Sequence, residues 1–330
     1  MKIFRSWITA LFILIAVEFA IFGSISPYFL NLDNLLYSVG DFLYIAVAAL
    51  PMTLVIVTGG IDISIGSTMG LASITTALLW YLGMNVWLAS IFGLLSGAAV
   101  GLLNGLLLII TEINPLVITL GSSFLVAGIA LILSGLAGAT GFEGISGLPY
   151  AFSNVVNGTI LGIPNAVWIL AAVAILFYVI LHHTKFGQQL FLIGVNRHAA
   201  AYSGIDVDRK LVLTYVIMGM GAALSGILLT SYFTSARSDL GSDSALSVIT
   251  CVVLGGASIN GGSGSIFGTL LASLLIGYLK YGLQMIRVSA QATNVYMGLV
   301  LIATISGRYF WELYSARLKN RAATAVQKTS

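Results

Sequence analysis

Few residues in this sequence have the type and spacing that catalysis or metal binding requires. The histidines are His182, His183 and His198, and no cysteine or acid stands near them at zinc-ligand spacing. The single cysteine, Cys251, lies in the apolar run 245–254, which predicts a small buried side chain rather than a redox centre. No serine or cysteine occupies a recognisable nucleophile motif. The sequence therefore predicts no catalytic, cofactor or metal site.

The chain also lacks a sequence motif for nucleotide binding. A phosphate-binding loop needs Gly-x-x-x-x-Gly-Lys-Ser/Thr, whose backbone N–H groups and lysine hold the phosphates. That pattern does not occur. The glycine-rich run 255–268 has no lysine and lies between two apolar stretches, so it predicts a flexible turn with close helix packing. Any ATP chemistry must therefore come from another chain.

Acidic residues inside apolar segments are the usual sign of coupling to protons or ions, because a charge at the bilayer centre costs about 2.5–3.5 kcal/mol. Glu18 is the deepest of them here, and Asp41 and Asp62 lie near the ends of apolar runs. A carrier driven by cations normally needs more than one buried ionisable group. We therefore expect Glu18 to face a neighbouring helix or a partner subunit.

The segment 184–210, TKFGQQLFLIGVNRHAAAYSGIDVDRK, is a polar interruption in an apolar chain. It holds four of the fourteen basic residues, whereas no Lys or Arg occurs between positions 6 and 184. Its small residues permit close approach, and Phe191, Leu192 and Ile205 add apolar contact area. This combination favours short amphipathic pieces seated in a groove on a partner. The alternative is a solvated connector.

Membrane helices must position the segment 184–210. Hydrophobic residues make up 58% of the 330 residues and charged residues 8%, about a third of the roughly 25% typical of soluble domains. Apolar windows near the ~20 residues needed to cross a bilayer recur along the chain. We predict an all-α, polytopic membrane helix bundle of ten spans. The windows are 6–26, 41–58, 66–83, 86–110, 116–136, 166–183, 211–231, 244–259, 265–284 and 292–310.

The third and eighth windows are the weakest of the ten. The window 244–259 is short, and 59–67 is rich in Gly and Ser around Asp62. Broken spans are tolerated only where protein or a water-filled cavity surrounds the freed backbone, so a translocation path is expected at these places. The runs 59–70 and 255–268 also resemble each other weakly, and ten spans would place both on the same side of the membrane.

The placement of charge predicts the orientation of the bundle. Basic residues cluster at positions 2–5, in 184–210 and over 308–328, and such clusters mark the cytoplasmic side. Both termini are then cytoplasmic, and the segments 27–40, 136–165 and 231–243 lie outside. The first apolar run is too long for a signal peptide, so we expect an uncleaved span. The net charge of +3 forms no basic groove, which excludes nucleic acid as a partner.

Motifs in and around the polar segment resemble a known family. Its pattern of Thr-x-Phe-Gly, Ile-Gly-x-Asn, Ala-Ala and Ser-Gly-Ile is found at 184–187, 193–196, 199–200 and 203–205. Further similar stretches are TGGIDISIGS (58–67), INPLVITLG (113–121) and VVLGGASINGGSGSIFGT (252–269). Over nearly its whole length the chain resembles the permease subunits of bacterial ATP-binding-cassette importers of the branched-chain amino acid and monosaccharide group.

The resemblance implies that 184–210 is the coupling segment contacting a cytoplasmic ABC ATPase, whose closure on ATP rocks two permease halves. The residues expected at this contact are Phe186, Gly187, Gly194, Asn196, Ala200, Ser203, Gly204 and Ile205. A bulky residue at Gly194 or Gly204 is expected to leave the protein in the membrane but detach it from the ATPase. At Gln188 most relatives carry Arg, so one cation of the family pattern is missing here.

Two predicted outer loops, 136–149 and 231–243, resemble those of one of the two permeases of autoinducer-2 importers. The implied ligand is a small, polar, uncharged, furanose-like molecule, with ribose or another monosaccharide as the alternative. The resemblance also implies a paralogous second permease, a periplasmic substrate-binding protein and a place in the bacterial inner membrane, in contact with lipid. The hypothesised contacts with the binding protein are Glu143, Arg237, Asp239 and Asp243.

A path for such a ligand would use hydroxyl, amide and carboxyl groups near the broken spans. The candidates are Asp62, Ser64, Ser67, Asn104 and Thr119. The chain is expected to be a single transmembrane permease domain over 1–330 without enzymatic activity, ending in a short cytoplasmic tail over 311–330. Two rival functions remain open, a self-sufficient secondary carrier and a membrane scaffold that transports nothing.

Overall fold

The computed structural model describes residues 2–139, 143–289, 292–293, 295–296, 298–300, 302 and 306. Within them the long helices are α1 (Lys2–Ile25), α2 (Leu32–Val57), α3 (Ile65–Tyr81), α4 (Val86–Thr111), α5 (Pro115–Leu136), α7 (Asn165–His183), α10 (Val207–Phe233) and α12 (Ile266–Met285). The short helices are α6 (Tyr150–Asn157), α8 (Lys185–Val195), α9 (Arg197–Tyr202) and α11 (Ser244–Leu254), with a 3₁₀ turn at Pro27–Leu30. Four two-residue strands complete the order, β1 (Ile145–Ser146), β2 (Thr159–Ile160), β3 (Ile163–Pro164) and β4 (Ser235–Ala236).

Polar caps begin the helices where apolar runs meet turns. Asn31 caps α2, Asn85 caps α4 and Asn114 caps α5, each accepting a hydrogen bond of 2.9 Å from a backbone N–H in the first turn. Pro115 occupies the first position of α5, where its missing N–H costs nothing. In a bilayer, backbone groups have no water to bond, so these caps replace it at the helix ends.

Helices occupy nine of the ten predicted windows, and seven of them are long and apolar enough to cross a membrane. These seven are α1, α2, α4, α5, α7, α10 and α12. The two shorter helices, α3 and α11, fill the windows that the sequence marked as weak. The tenth window, 292–310, lies largely outside the described residues, and the tail 311–330 lies wholly outside them. A polytopic helix bundle is thus confirmed, while the count of ten stays a prediction.

The predicted boundaries are wrong at three helices, of which α11 ends at Leu254 rather than 259. Helix α2 begins at Leu32 rather than 41, so most of the expected outer segment 27–40 is helical. Its first turn contains the charged residue Asp33, so a search for apolar windows does not detect this part of the helix. Helix α10 begins at Val207 rather than 211, because Asp206 caps it and draws the last basic residues of the polar segment into the helix.

Helix α2 is the centre of the bundle. Of its most apolar window 89% of the residues are buried, against 17% for α1 and 22% for α5, which face outward. It packs against α7, α10, α11 and α12. Pro51 interrupts its hydrogen-bond ladder, and the Pro51 ring lies where a side chain at Gly221 of α10 would have to stand. The central helix is therefore held on all sides by protein rather than by lipid.

The bundle has two distinct ends. At one end, called the β1–β4 end, the predicted outer loops meet as an antiparallel pair in which Ile145 faces Ala236 and Ser146 faces Ser235. At the other, called the α8–α9 end, α8 packs against the turns 58–64 and 255–265. Both glycine-rich runs therefore lie on the same side as the polar segment, which confirms the predicted grouping of the loops.

Two predictions about single residues are confirmed. Cys251 is fully buried in α11, where it packs as a small apolar side chain. Glu18 is 6% exposed on α1 and lies beside α12, near Tyr278. Neither of its carboxyl oxygens has a hydrogen-bond partner among the described residues.

Candidate functional site

Helices α8 and α9 form an elbow in which the motif residues of the polar segment have local roles. The Thr184 hydroxyl caps α8 by accepting from the Gly187 N–H at 3.1 Å. The Asn196 side chain caps α9 by accepting from the Ala199 N–H at 2.9 Å. At the end of α9, Gly204 takes a positive φ of 82°, a conformation that glycine adopts without strain. The motif spacing therefore encodes the elbow itself.

One stripe of α8 faces outward while the opposite stripe is buried. Gln188, Leu192 and Val195 stand at positions i, i+4 and i+7, and all three are exposed, Val195 by 74%. On α9 the Tyr202 side chain is 94% exposed. We call the surface formed by these four residues the docking face. Exposed apolar and aromatic side chains grouped at one end of a bundle are typical of a protein interface.

Several residues predicted to make the partner contact instead face the bundle. Gly187 and Ala200 are buried, and Ile205 is half-buried against the core. Phe186 is half-buried beneath Lys210, whose ammonium lies 5.5 Å from the ring centroid. Asn196, Ser203 and Gly204 are exposed, as a contact requires. Val195 and Tyr202 were missed, although the i+7 spacing of Val195 from Gln188 was a usable signal.

Gly194 packs against the rest of the bundle. Its substitution would therefore test folding rather than contact with the ATPase. A Cβ at this position would overlap the carbonyl oxygen of Val57, at the end of α2, and would lie too close to the Gly262 N–H. That N–H donates to the same Val57 oxygen at 2.9 Å. A bulky residue at Gly194 would therefore disrupt the fold, so the expectation of clean detachment is wrong there. Gly204, by contrast, has open space around it, but its positive φ strains any other residue placed there.

Asp62, Ser64, Asn104 and Thr119 come together in one buried polar cluster at the start of α3. Ser64 donates to the Asp62 carboxylate from its backbone N–H at 2.8 Å and from its hydroxyl at 2.6 Å. The Asn104 amide donates to the Ser64 hydroxyl at 2.9 Å. Burial raises the pKa of the Asp62 carboxyl, and the two hydrogen bonds from Ser64 partly offset that effect.

The remaining members of this cluster attach it to two other helices. The Thr119 hydroxyl of α5 accepts from the Ile63 N–H at 3.1 Å, and Tyr215 of α10 lies 3.5 Å from the Ile61 carbonyl. Ser67 is only half-buried and its hydroxyl bonds back to its own helix at 2.9 Å. Asp62, Ser64 and Asn104 thus bond to one another, while Thr119 and Ser67 bond to backbone groups. The Asn104 carbonyl oxygen has no partner among the described residues. In this conformation they brace the turn between α2 and α3.

A polar cleft of about 540 Å³ opens between helices near the β1–β4 end. Its walls are α2, α10, α11, α12 and the loop that follows β4. Arg237, Asp239 and Asp243, expected to contact a binding protein, all line this cleft, whereas Glu143 is exposed beside the β1–β4 pair. The structure therefore brings three of the four residues to one site.

Charges at the cleft are partly paired. Arg237 donates to Asp239 from Nε at 2.8 Å and from Nη2 at 2.6 Å, and this carboxylate raises the pKa of the guanidinium. Asp41 of α2 accepts a short hydrogen bond from the Tyr232 hydroxyl. Lys280 of α12 lies 3.5 Å from the Tyr44 hydroxyl. In the part of the chain that the structure describes, no three His, Cys, Asp or Glu side chains converge as metal ligands.

Comparisons with known proteins agree with one another. Residues 34–305 match the family model described as branched-chain amino acid transport system / permease component. The chain is 49% identical over 308 residues to proteins named autoinducer 2 import system permease protein LsrD from Escherichia coli (strain K12) and Shigella flexneri. It is 48% identical to the protein of that name from Escherichia coli O157:H7. Each alignment covers 93% of this chain and 93% of the relative. No solved structure matches significantly.

Proposed function

Because this chain belongs to the permease family of the branched-chain amino acid transport systems, we propose that it is a transmembrane subunit of an ABC importer for autoinducer-2. Relatives that carry this function in their name align along 93% of the chain at 48–49% identity, which favours autoinducer-2 over ribose or another monosaccharide. As a multi-pass protein of the bacterial inner membrane, it supplies the path. A separate chain hydrolyses the ATP.

The observation that carries this proposal is that one helix, α2, connects α8 to the cleft. Gly194 of α8 packs against the Val57 backbone at the end of α2. Asp41, sixteen positions earlier on the same helix, lines the cleft. At 1.5 Å per residue these positions are about 24 Å apart along the axis. A displacement of α8 by a partner therefore reaches the cleft through one continuous, largely buried helix.

Energy enters at the docking face in this proposal. Closure of a cytoplasmic ATPase on ATP moves α8 and α9, and α2 carries the movement to the opposite end of the bundle. Because the packed interfaces around α2 leave no space for continuous deformation, the helix moves as a body. The result is alternate access of the cleft to the two sides of the membrane. No step of this mechanism requires a catalytic residue in the permease.

Two further partners complete the proposed importer. A paralogous permease supplies the second half of the path. A periplasmic binding protein delivers the ligand to the β1–β4 end, where Glu143 and the charged loop 237–243 are available for contact. The Arg237–Asp239 pair is partly exposed, so its expected contribution is to the rate and orientation of docking more than to affinity.

The docking face is tested by replacing Tyr202 with alanine in the co-expressed importer. Loss of an exposed aromatic anchor is expected to reduce ATPase co-purification and autoinducer-2 uptake about tenfold or more, since such residues commonly dominate an interface. The matched control is Tyr150→Ala, which removes an 82% exposed tyrosine from α6. That control should retain the ATPase. If both variants retained the ATPase equally, the assignment of the docking face would be contradicted.

The rival function, a self-sufficient secondary carrier, makes a different prediction. The purified chain would then transport autoinducer-2 in liposomes without an ATPase, and dissipating the ion gradient would stop it. We expect no such uptake. The described residues contain one deeply buried, unpartnered acid in a long outer helix, Glu18, and it lies away from the cleft.

A further inference from the structure

The cleft near the β1–β4 end has the features of a ligand site rather than of a lipid-filled gap. It is lined by Asp41 and Lys280, which lie within the spans α2 and α12, and by three charged residues of the loop 237–243. Ionisable residues in spans almost always face the bundle interior or a water-filled cavity, because lipid does not solvate them. The volume of about 540 Å³ falls within the ~300–1,000 Å³ typical of small-molecule pockets.

The charges in the cleft disfavour an anionic ligand. Three acids (Asp41, Asp239, Asp243) and two bases (Arg237, Lys280) line it, which leaves a formal charge of −1. Arg237 and Asp239 neutralise each other. Asp41, Asp243 and Lys280 make no ion pair with any described residue, so their hydrogen-bonding capacity is not taken up by an opposite charge. A phosphorylated or otherwise anionic ligand would meet a net negative wall.

The polar groups in the cleft suit a compound with several hydroxyl groups. A carboxylate accepts hydrogen bonds from two neighbouring hydroxyls, and an ammonium donates to a ring or hydroxyl oxygen. The Tyr232 hydroxyl already holds the Asp41 carboxylate in place from α10. On the adjacent wall, the Lys280 ammonium lies 5.8 Å from the Tyr44 ring centroid. Donors and acceptors from three helices therefore converge on one space.

We propose that this cleft is a binding site for a neutral polyol within the permease, in which Asp41 accepts from ligand hydroxyls and Lys280 donates to a ligand oxygen. The proposal rests on the proposed function, since autoinducer-2 import requires such a ligand to pass through the bundle. It adds a site that recognises the ligand at the entrance, on the same helix that Gly194 of α8 packs against. Because Asp41 belongs to α2, a ligand bound at Asp41 would act directly on that helix.

The first experiment measures uptake by the complete importer in proteoliposomes, with the binding protein and ATPase present. Asp41→Asn and Lys280→Met should each raise the autoinducer-2 concentration at half-maximal uptake about tenfold or more, the effect of losing one charge-assisted hydrogen bond. Assembly and ATP hydrolysis stimulated by the binding protein should stay within about twofold of wild type. The matched control, Asp33→Asn, changes an exposed acid at the start of the same helix and should leave uptake unchanged.

A second measurement separates ligand contact from a structural role. Cys251 is fully buried, so the native chain offers little background to a membrane-impermeant thiol reagent. Ser247→Cys, in the cleft wall, should be labelled, and autoinducer-2 should slow that labelling. Ser225→Cys, at a fully buried serine of α10, should stay unlabelled.

The outcomes distinguish the two proposals. If the wild-type importer takes up no autoinducer-2, the proposed function fails, and this inference fails with it. Normal uptake by the wild type together with normal uptake by both cleft variants overturns the ligand site alone. Loss of binding-protein stimulation in Asp41→Asn, without ligand protection of Ser247→Cys, would instead assign the cleft to binding-protein docking.

Discussion

Ser64 is the residue on which the buried cluster beneath α3 depends. Its backbone and hydroxyl both donate to Asp62, and the same hydroxyl accepts from Asn104. A carboxyl group that is 2% exposed needs these partners, because an unsatisfied buried polar group costs about 1–3 kcal/mol, and more if charged. The Ser64 side chain therefore maintains the shape of the turn 58–64. The sequence shows only a serine two positions after an acid and does not reveal these hydrogen bonds.

Replacing Ser64 with alanine should lower the thermal stability of the purified permease. The change removes one donor to Asp62 and the acceptor of Asn104, so we expect a loss of about 1–3 kcal/mol in unfolding free energy. Thermal unfolding in detergent measures it. Ser67→Ala is the control, since the Ser67 hydroxyl bonds only to the Ser64 carbonyl of its own chain segment. Equal melting of the two variants would show that the cluster does not stabilise the turn.

The crossing of α4 and α10 is the most extensive helix pair in the described structure. On α4, glycines recur every fourth residue at 93, 97, 101 and 105, and each faces a neighbouring helix. A Cβ at Gly101 would overlap the Tyr215 carbonyl oxygen, and one at Gly97 would overlap that of Gly219. Small residues at this spacing allow two membrane helices to approach backbone to backbone. Tyr215, which reaches the buried polar cluster, is positioned by this contact.

Gly101→Ala should destabilise the bundle, because overpacking a tight contact costs about 1–3 kcal/mol. Gly128→Ala is the matched control in α5, where nothing lies within 4 Å of the added methyl group. In a helix interior alanine is favoured over glycine by about 0.5–1 kcal/mol, so the control should be neutral or slightly stabilising. The two variants are compared by the thermostability of the isolated chain in detergent. A stable Gly101→Ala variant would contradict the close crossing.

At the scale of the whole molecule, the two ends of the bundle should face opposite sides of the membrane. Among the residues that the structure describes, Lys185, Arg197, Arg209 and Lys210 cluster at the α8–α9 end, and basic clusters of this kind favour the cytoplasm. The β1–β4 end holds the cleft and the paired outer loops. Import requires this polarity, because the ligand and the ATP are supplied from different compartments.

The orientation is measured with two serine-to-cysteine variants and a membrane-impermeant thiol reagent. Ser146→Cys, exposed in β1, should react in intact spheroplasts, while Ser203→Cys, exposed after α9, should react only in inverted vesicles. The native chain is the control, because Cys251 is fully buried. The reverse pattern would exclude an ATPase contact at the docking face.

Much of the site was predictable, and the misses have a common cause. Local patterns suffice to identify the segment 184–210, its amphipathic character and its family. They do not tell which side chains lie at its surface. The motif residue Gly194 packs on Val57, whereas Tyr202, which belongs to no motif, faces outward. A motif records which residues are required together, but it does not distinguish those that build an elbow from those that touch a partner.

The membrane class, nine of the ten helix windows, the family and the absence of a nucleotide-binding motif could be read from the sequence. These follow from composition, from apolar run lengths and from short patterns, all of which are additive along the chain. Three facts needed the packed bundle: α2 is the buried centre, Asp62, Ser64 and Asn104 bond to one another beside Thr119, and Asp41 and Lys280 share a cleft. Those facts depend on packing between helices far apart in sequence, and side-chain direction in a bundle is set by neighbours that no local pattern contains.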